Sequence, residues 1–250
     1  TNCFIVGKKR FIVIDAASAD ESEQAKLHKL IDELIEQGGV CEEIIVSHLH
    51  NDHHGGEVAL QKHLLEKHNQ KVWISCHPYT IESLYPFSFE HYEKGIDDDS
   101  IFTLEDADGK EFDLQVLHTP GHARGLLAFY DEELGFLIST DNVVGTGTVV
   151  IAPPEGNMQE YLNTLERLKN LPNLKHLCGS HGSAIFNAKA KIEEYISHRL
   201  ERENQVIEAM ENGAKTPAEI VEKIYVGLKP ELIRLAIKTV EAYLEKLGKI

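Results

Sequence analysis

Short apolar runs alternate with amphipathic stretches along the first 186 residues of the chain. Residues 4–6 and 11–14 are apolar and flank a polar turn, which predicts a β-hairpin. Residues 20–37 carry apolar side chains at helical spacing and are followed by two glycines, which predicts a helix that ends there. The same criteria predict strands at 44–46, 72–74, 112–117, 126–130, 136–139 and 174–178, and helices at 58–68 and 158–171.

The pattern changes near residue 187, beyond which only helices are predicted. Residues 188–210 form one long helical stretch, and Pro230 opens another with a regular apolar face. Between them, Thr216 and Pro217 have the features of a helix N-cap and first helical residue. We therefore expect an α+β main domain at residues 1–186, with two sheets and outer helices, and a helical, winged-helix-like domain at residues 187–250.

Side chains that bind metals cluster directly after one of the predicted strands. His48, His50, Asp52 and His53 fill four of six positions after the apolar run 44–46. In an extended loop, residues two apart point to the same side, so His48 and His50 can reach one ion. Asp52 and His53 begin the following turn and can face a second ion. Imidazole and carboxylate ligands suit zinc first, with iron or manganese as alternatives.

Three further candidate ligands each follow the end of a predicted strand by a few residues. His122 lies in the sequence Pro-Gly-His, Asp141 follows an apolar run, and His181 lies in Gly-Ser-His-Gly. Loops at strand ends are positioned by a rigid scaffold, and such loops commonly carry functional side chains. Together with the first cluster, these residues offer enough ligands for two divalent ions.

The order of these motifs, HxHxDH, PGH, a lone Asp and GxHG, resembles the metallo-β-lactamase superfamily. The resemblance covers residues 1–186 and implies an αββα sandwich, with the metals at one edge between the two sheets. It assigns the first ion to His48, His50 and His122. It assigns the second to Asp52, His53 and His181, with Asp141 bridging both ions. His54 and His118 match no ligand position.

The resemblance implies a dinuclear metal hydrolase. Two ions that share a water can lower its pKa to near neutrality, and the bridging hydroxide is then the nucleophile. Asp52 is expected to bind metal and to orient this nucleophile. The same centre can act on phosphodiesters, thioesters and lactams, because the fold does not determine the substrate.

Residues 1–6, 182–192 and 195–199 resemble the beta-lactamase-like protein 2 family. Members of that family act as endoribonucleases on single-stranded RNA, and relatives include acyl-thioester hydrolases. The resemblance extends to the C-terminal helices, in which we expect Ser197 and Arg199 to bind substrate and His198 to take part in catalysis. The chain departs from the family pattern after the Pro-Gly-His motif, where it has Ala-Arg-Gly instead of threonine and acidic residues.

Three functions are compatible with these features. An endoribonuclease that cleaves single-stranded RNA is favoured, with a thioester hydrolase of the glyoxalase II kind as the alternative and a non-catalytic metal-binding module as the third. The formal net charge of −16 opposes binding of a polyanion. That charge is confined to residues 1–186, with 14 Lys and Arg against 30 Asp and Glu, whereas residues 187–250 have 11 of each.

Composition limits the cellular locations that we expect for this protein. No apolar run approaches the roughly 18 residues of a membrane span, so we expect no membrane partner. The four cysteines form no CxxC pair and are expected to be reduced, which favours a cytoplasmic protein. A mitochondrial matrix protein is the alternative if a transit peptide precedes Thr1. The sequence leaves the oligomeric state open.

Overall fold

Ten strands and seven helices occur in the residues that the computed structural model describes, which are 1–84, 92–98 and 100–250. The strands are β1 Phe4–Gly7, β2 Arg10–Ile14, β3 Val40–Ile45, β4 Trp73–Cys76, β5 Tyr92–Gly95, β6 Ile101–Glu105, β7 Glu111–His118, β8 Leu127–Asp131, β9 Phe136–Thr140 and β10 His176–Gly179. The helices are α1 Glu21–Glu36, α2 Glu57–His68, α3 Pro78–Leu84, α4 Met158–Lys169, α5 Ala188–Glu211, α6 Pro217–Ile224 and α7 Pro230–Lys246.

The strands form two half-sheets that meet at a single residue pair. The first half-sheet consists of β1 to β5, and the second consists of β6 to β10 in the order β6-β7-β8-β9-β10. They are joined where Arg10 of β2 pairs with Glu105 of β6. Because one pair is a weak lateral link, the two halves can fold over each other and pack face to face.

Alternation along β2 shows how the layers arise. Ile12 and Ile14 point into an apolar cluster between the half-sheets, which also contains Leu127 and Phe129 from β8. Phe11 and Val13 point the other way, into a cluster with side chains of α1 and α2. Helices α4, α5 and α7 cover the outer face of the second half-sheet. The expected αββα sandwich is therefore confirmed.

Every predicted strand and helix is present, with ends that differ by a few residues. Three elements were not predicted, namely α3, β5 and β6. Strand β6 has the alternating pattern of a half-buried strand, with Phe102 and Leu104 inside, but it is only five residues long. An alternating segment of this length gives too few periods to be recognised, whereas β2, of the same length, contains a continuous apolar run.

The C-terminal segment is helical, as expected, but it has no wing. All of residues 187–250 are described, and they contain α5, α6 and α7 without any strand, so the winged-helix expectation is corrected. Thr216 caps α6 by accepting the backbone N–H of Glu219. Val240 and Tyr243 of α7 belong to the same apolar cluster as Leu137 of β9. The C-terminal helices thus share a core with the sandwich, and the division at residue 186 stays a prediction.

No helix in the described ranges combines the length and apolar character needed to cross a membrane.

Candidate metal centre

The predicted metal ligands meet at one edge of the sandwich, on loops that follow strands of both half-sheets. The segment from His48 to His53 follows β3 of the first half-sheet. His122, Asp141 and His181 follow β7, β9 and β10 of the second. The structure brings all seven side chains together in overlapping groups, each with ligand atoms within 4.8 Å of one another.

Three imidazoles form the first group. The Nδ1 atom of His50 lies 3.0 Å from Nε2 of His48 and 2.9 Å from Nε2 of His122. Burial lowers the pKa of His48 well below its ordinary value and lowers that of His122 to about 4, and neighbouring histidines add to both shifts. These rings are therefore neutral at neutral pH, and a neutral imidazole is the form that binds a metal.

A carboxylate and two imidazoles form the second group. Oδ2 of Asp52 lies 3.5 Å from Nε2 of His53 and 3.3 Å from Nε2 of His181. Oδ2 of Asp141 lies 3.5 to 3.6 Å from the Nε2 atoms of His53, His181 and His122. Asp141 is thus within reach of both groups, as a bridging carboxylate must be.

Buried polar atoms at this centre fit a metal site. Nε2 of His53 and Oδ1 of Asp141 are buried without a hydrogen-bond partner, which is costly in a folded protein unless a ligand satisfies them. Burial alone would lower the pKa of His53, but the neighbouring carboxylates of Asp141 and Asp15 outweigh it and raise that pKa to about 10. The site therefore attracts positive charge, and the donor set suits zinc, iron or manganese.

Hydrogen bonds on the far side of the rings orient three Nε2 atoms toward the centre. Nδ1 of His53 donates to Oδ2 of Asp15 over 2.8 Å, and Nδ1 of His122 donates to the carbonyl of Val150 over 2.8 Å. Ser47 donates its hydroxyl to Asp15, so Nδ1 of His48 donates to Oγ of Ser47 over 3.0 Å. Such contacts fix the tautomer and orientation of metal-binding histidines.

Asp15 was missed by the sequence analysis. Both of its oxygens are used, because Oδ1 accepts the backbone N–H of Ser47 while Oδ2 accepts from Ser47 and His53. Its only sequence signal is its place directly after β2, which many ordinary carboxylates share. The structure identifies it through its hydrogen bonds with Ser47 and His53, which lie in the loop after β3.

The three predicted substrate contacts on α5 are placed very differently. Ser197 is exposed and His198 is half-buried, and neither belongs to a ligand group among the described residues. Arg199 is 3% exposed, and its guanidinium donates to the carbonyl of Val149 over 2.6 Å and to Thr148. The expectation that Arg199 binds substrate is corrected, because the side chain is buried and its Nη2 atom donates inside the protein.

His54 and His118 do not belong to the ligand groups that contain Asp141 or Asp52. Nε2 of His118 donates to the carbonyl of Arg124 over 2.7 Å, and its ring stacks on His77 at 4.0 Å. These contacts tie the loop that carries His122 to the loop after β4.

A cavity of about 570 Å³ opens beside Asp52. The N-terminal residues, the loop after β2 and helix α1 line it, and Leu27 and Gln24 are among its walls. Oγ1 of Thr1 donates to Oδ2 of Asp52 over 2.8 Å at the boundary between the cavity and the metal centre. A substrate arm could therefore reach the centre from this side.

Comparison with known proteins gives relatives that span nearly the whole chain. An atrochrysone carboxyl ACP thioesterase of Pseudocercospora fijiensis is 28% identical, over 99% of this chain and 69% of its own length. A beta-lactamase-like protein 2 homolog of Caenorhabditis elegans is 27% identical, over 100% of this chain and 79% of its own length. A crystal structure of a metallo-beta-lactamase family protein of Thermus thermophilus superimposes with a TM-score of 0.74, at 20% identity, covering 99% of this chain and 88% of that one.

The family model of the metallo-beta-lactamase superfamily matches residues 1–181. The match begins before β1 and ends at His181, so it contains every ligand of both groups. The chain therefore belongs to the metallo-beta-lactamase superfamily of metal-dependent hydrolases.

Proposed function

We propose that this protein is a dinuclear metal hydrolase that cleaves acyl thioesters. The position of Asp141 within reach of both ligand groups carries the dinuclear part of the proposal. In this assignment His48, His50 and His122 hold one ion, and Asp52, His53 and His181 hold the other. Zinc is the first choice of metal, with iron and manganese as alternatives.

Two divalent ions at such a centre supply a water of lowered pKa and polarise the electrophilic oxygen of the substrate. The chain's own residues hold the geometry. Asp141 and His53 are buried and fixed by their neighbours, whereas the side chain of Asp52 is 57% exposed. Asp52 is therefore the carboxylate at which a proton can pass between the centre and solvent, and Thr1 orients its Oδ2 atom.

Two observations support a thioester substrate over a phosphodiester. The first is the likeness, over nearly the whole chain, to a protein named as an ACP thioesterase. The second is that both arginines of α5 are engaged within the protein, since Arg199 is buried and Arg202 donates to Gln205 and to the carbonyl of Ile224. A phosphate backbone would need such cations on the surface, because a net charge of −16 repels it.

Single-stranded RNA, which the sequence favoured, is the second candidate substrate. Arg124 supports it, because this side chain is exposed two residues after His122 and its guanidinium lies 4.7 Å from the ring centroid of Tyr79. An arginine beside an aromatic ring is a common contact for phosphates and unstacked bases. The likeness to beta-lactamase-like protein 2 homologs also supports this candidate.

Parallel assays of one preparation test the proposal. Metal-loaded protein is given a small acyl thioester, with release of the free thiol as the signal, and separately a labelled single-stranded RNA. We expect thioester hydrolysis that Asp141→Asn abolishes, and Arg124→Ala to leave it within about twofold. RNA cleavage that Asp141→Asn abolishes, without thioester hydrolysis, would overturn the thioester proposal in favour of the nuclease. Metal binding without either reaction would support the non-catalytic module.

A further inference from the structure

A second cluster of metal-binding side chains lies between α1 and α2, apart from the centre described above. Oδ1 of Asp32 on α1 lies 2.7 Å from Nε2 of His63 and 2.5 Å from Nε2 of His68, both on α2. His28, one helical turn before Asp32, stacks on His63 with ring centroids 4.3 Å apart. Two imidazoles and one carboxylate therefore converge where the two helices pack together, and a third imidazole stacks beside them.

We propose that this cluster is a third transition-metal site, held by Asp32, His63 and His68, whose ligand atoms lie within 4.8 Å of one another. The ligand set is that of a zinc site. Nε2 of His28 is buried and has no hydrogen-bond partner, which sets this ring apart from a simple surface histidine. The three partners are only partly exposed, with side-chain exposure between 12% and 21%, so an ion would be shielded from water.

The charges at the cluster favour a cation. Burial raises the pKa of Asp32, but hydrogen bonds from His68, Lys67 and His63 lower it below its ordinary range, so the carboxylate is ionised. Burial and the neighbouring His63 lower the pKa of His28, so this ring is neutral and adds no positive charge beside the cluster. Atoms around a tetrahedral zinc lie about 3.3 Å apart, so the rings need to withdraw by less than about 1 Å.

Lys67 is the competitor for the ion. Its Nζ lies 2.7 Å from Oδ2 of Asp32, whereas both imidazoles contact Oδ1. The side chain is 52% exposed, so it can turn into solvent when a cation binds to Oδ1. The role of Lys67 distinguishes the two interpretations. In a metal site its charge weakens cation binding, whereas in a hydrogen-bonded network around Asp32 it is one of the stabilising partners.

An ion bound to this cluster would stabilise one wall of the cavity beside Asp52. His28 and Leu27 of α1 both line that cavity, while Asp32 lies one turn further along the same helix. Fixing α1 against α2 would therefore fix the shape of the cavity. The proposal does not depend on which substrate the protein hydrolyses.

Zinc stoichiometry tests the site. Metal-free protein is titrated with Zn²⁺ against a chromophoric chelator, and bound zinc is counted after gel filtration. We expect three ions in the wild type and two in the double variant His63→Ala/His68→Ala. The matched control on the same helix is Lys62→Ala/Glu66→Ala, which removes an exposed ion pair and should keep three. Two ions in the wild type would overturn the proposal.

Lys67→Met gives a second readout that separates the two interpretations. If the cluster binds metal, removal of the competing ammonium should tighten the weakest zinc equivalent by about tenfold, and added zinc should raise the unfolding temperature of this variant more than that of the wild type. If the cluster is only a network around Asp32, the variant should be less stable and should respond to zinc as the wild type does. The second result would refute the site even if the double variant fails to fold.

Discussion

Arg199 and His122 bind neighbouring carbonyl groups of one loop. The guanidinium of Arg199 donates to the carbonyl of Val149 over 2.6 Å, and Nδ1 of His122 donates to the carbonyl of Val150 over 2.8 Å. Arg199 also lies 5.3 Å from the ring centroid of Tyr161. The C-terminal helix α5 therefore supports a predicted metal ligand through the loop, without contacting the centre.

The first prediction follows from this contact. Replacement Arg199→Met keeps an apolar stem over Tyr161 but leaves the carbonyl of Val149 without its donor. We expect the free energy of unfolding to fall by about 2–3 kcal/mol, because a buried charged hydrogen bond is lost. We also expect faster loss of metal to a chelator, because the loop that orients His122 is loosened. Denaturant unfolding and timed chelation measure the two effects.

An exposed arginine provides the control for this variant. Arg234 lies on the exposed side of α7, so Arg234→Met should change stability by less than about 0.5 kcal/mol and leave metal retention unchanged. Equal metal retention in Arg199→Met and the wild type would show that α5 does not position His122.

The second prediction concerns Asp141, the proposed bridging carboxylate. Asp141→Asn removes charge from the one carboxylate within reach of both ligand groups, so we expect loss of both ions of this centre. His54→Ala should retain them, because His54 belongs to no ligand group of the described residues. Elemental analysis after dialysis measures the metal content. Loss of metal in His54→Ala with retention in Asp141→Asn would contradict the ligand assignment.

The third prediction concerns Asp15, which accepts a hydrogen bond from Nδ1 of His53, on the side of the ring away from the metal centre. Asp15→Asn keeps the shape of the side chain, and asparagine tolerates the left-handed backbone at this position, where φ is 57°. It replaces an acceptor for His53 or Ser47 with an amide. We expect metal affinity to fall by about 10–100-fold with the fold intact, as measured by competition with a chelator.

Asp113→Asn is the matched control for Asp15, since Asp113 is an exposed strand residue that accepts from Thr103. It should leave metal affinity unchanged. If both variants lowered the affinity alike, the effect would come from the change in net charge, and the positioning role of Asp15 would be refuted.

Much of the fold was predictable because the strands are short, apolar and clearly separated. Which strands pair was not predictable. The half-sheets are linked where Arg10 pairs with Glu105 and where the backbone N–H groups of Lys8 and Lys9 donate to the carbonyl of Glu105, and so short a link leaves no pattern in the sequence. The candidate ligands were found because His48, His50 and His53 stand close together and the other ligands each follow a strand.

The prediction that Arg199 binds substrate was wrong because it rested on the family resemblance and took no account of the helical face on which the residue lies. Ile192, Ile196 and Arg199 follow one another at spacings of four and three, so the arginine lies on the buried face of α5. The helical period therefore indicated burial. What the sequence did not contain was the buried carbonyl group of Val149 that makes this burial favourable.

The last prediction tests how closely the loop with His122 must approach α4. Gly121 has φ of 133°, and a Cβ atom there would collide with the backbone of Tyr161 at the start of α4. Gly109 also has a positive φ, of 80°, but a Cβ there would meet nothing within 4 Å. Both alanine variants bear backbone strain, and only Gly121→Ala adds a clash.

We expect Gly109→Ala to lower the free energy of unfolding by about 1 kcal/mol. Gly121→Ala should lower it by several kcal/mol and should also lose metal, because His122 is displaced. Unfolding curves and metal content measured on both variants decide the matter, and equal losses would show that strain, not the approach to α4, sets the requirement for glycine.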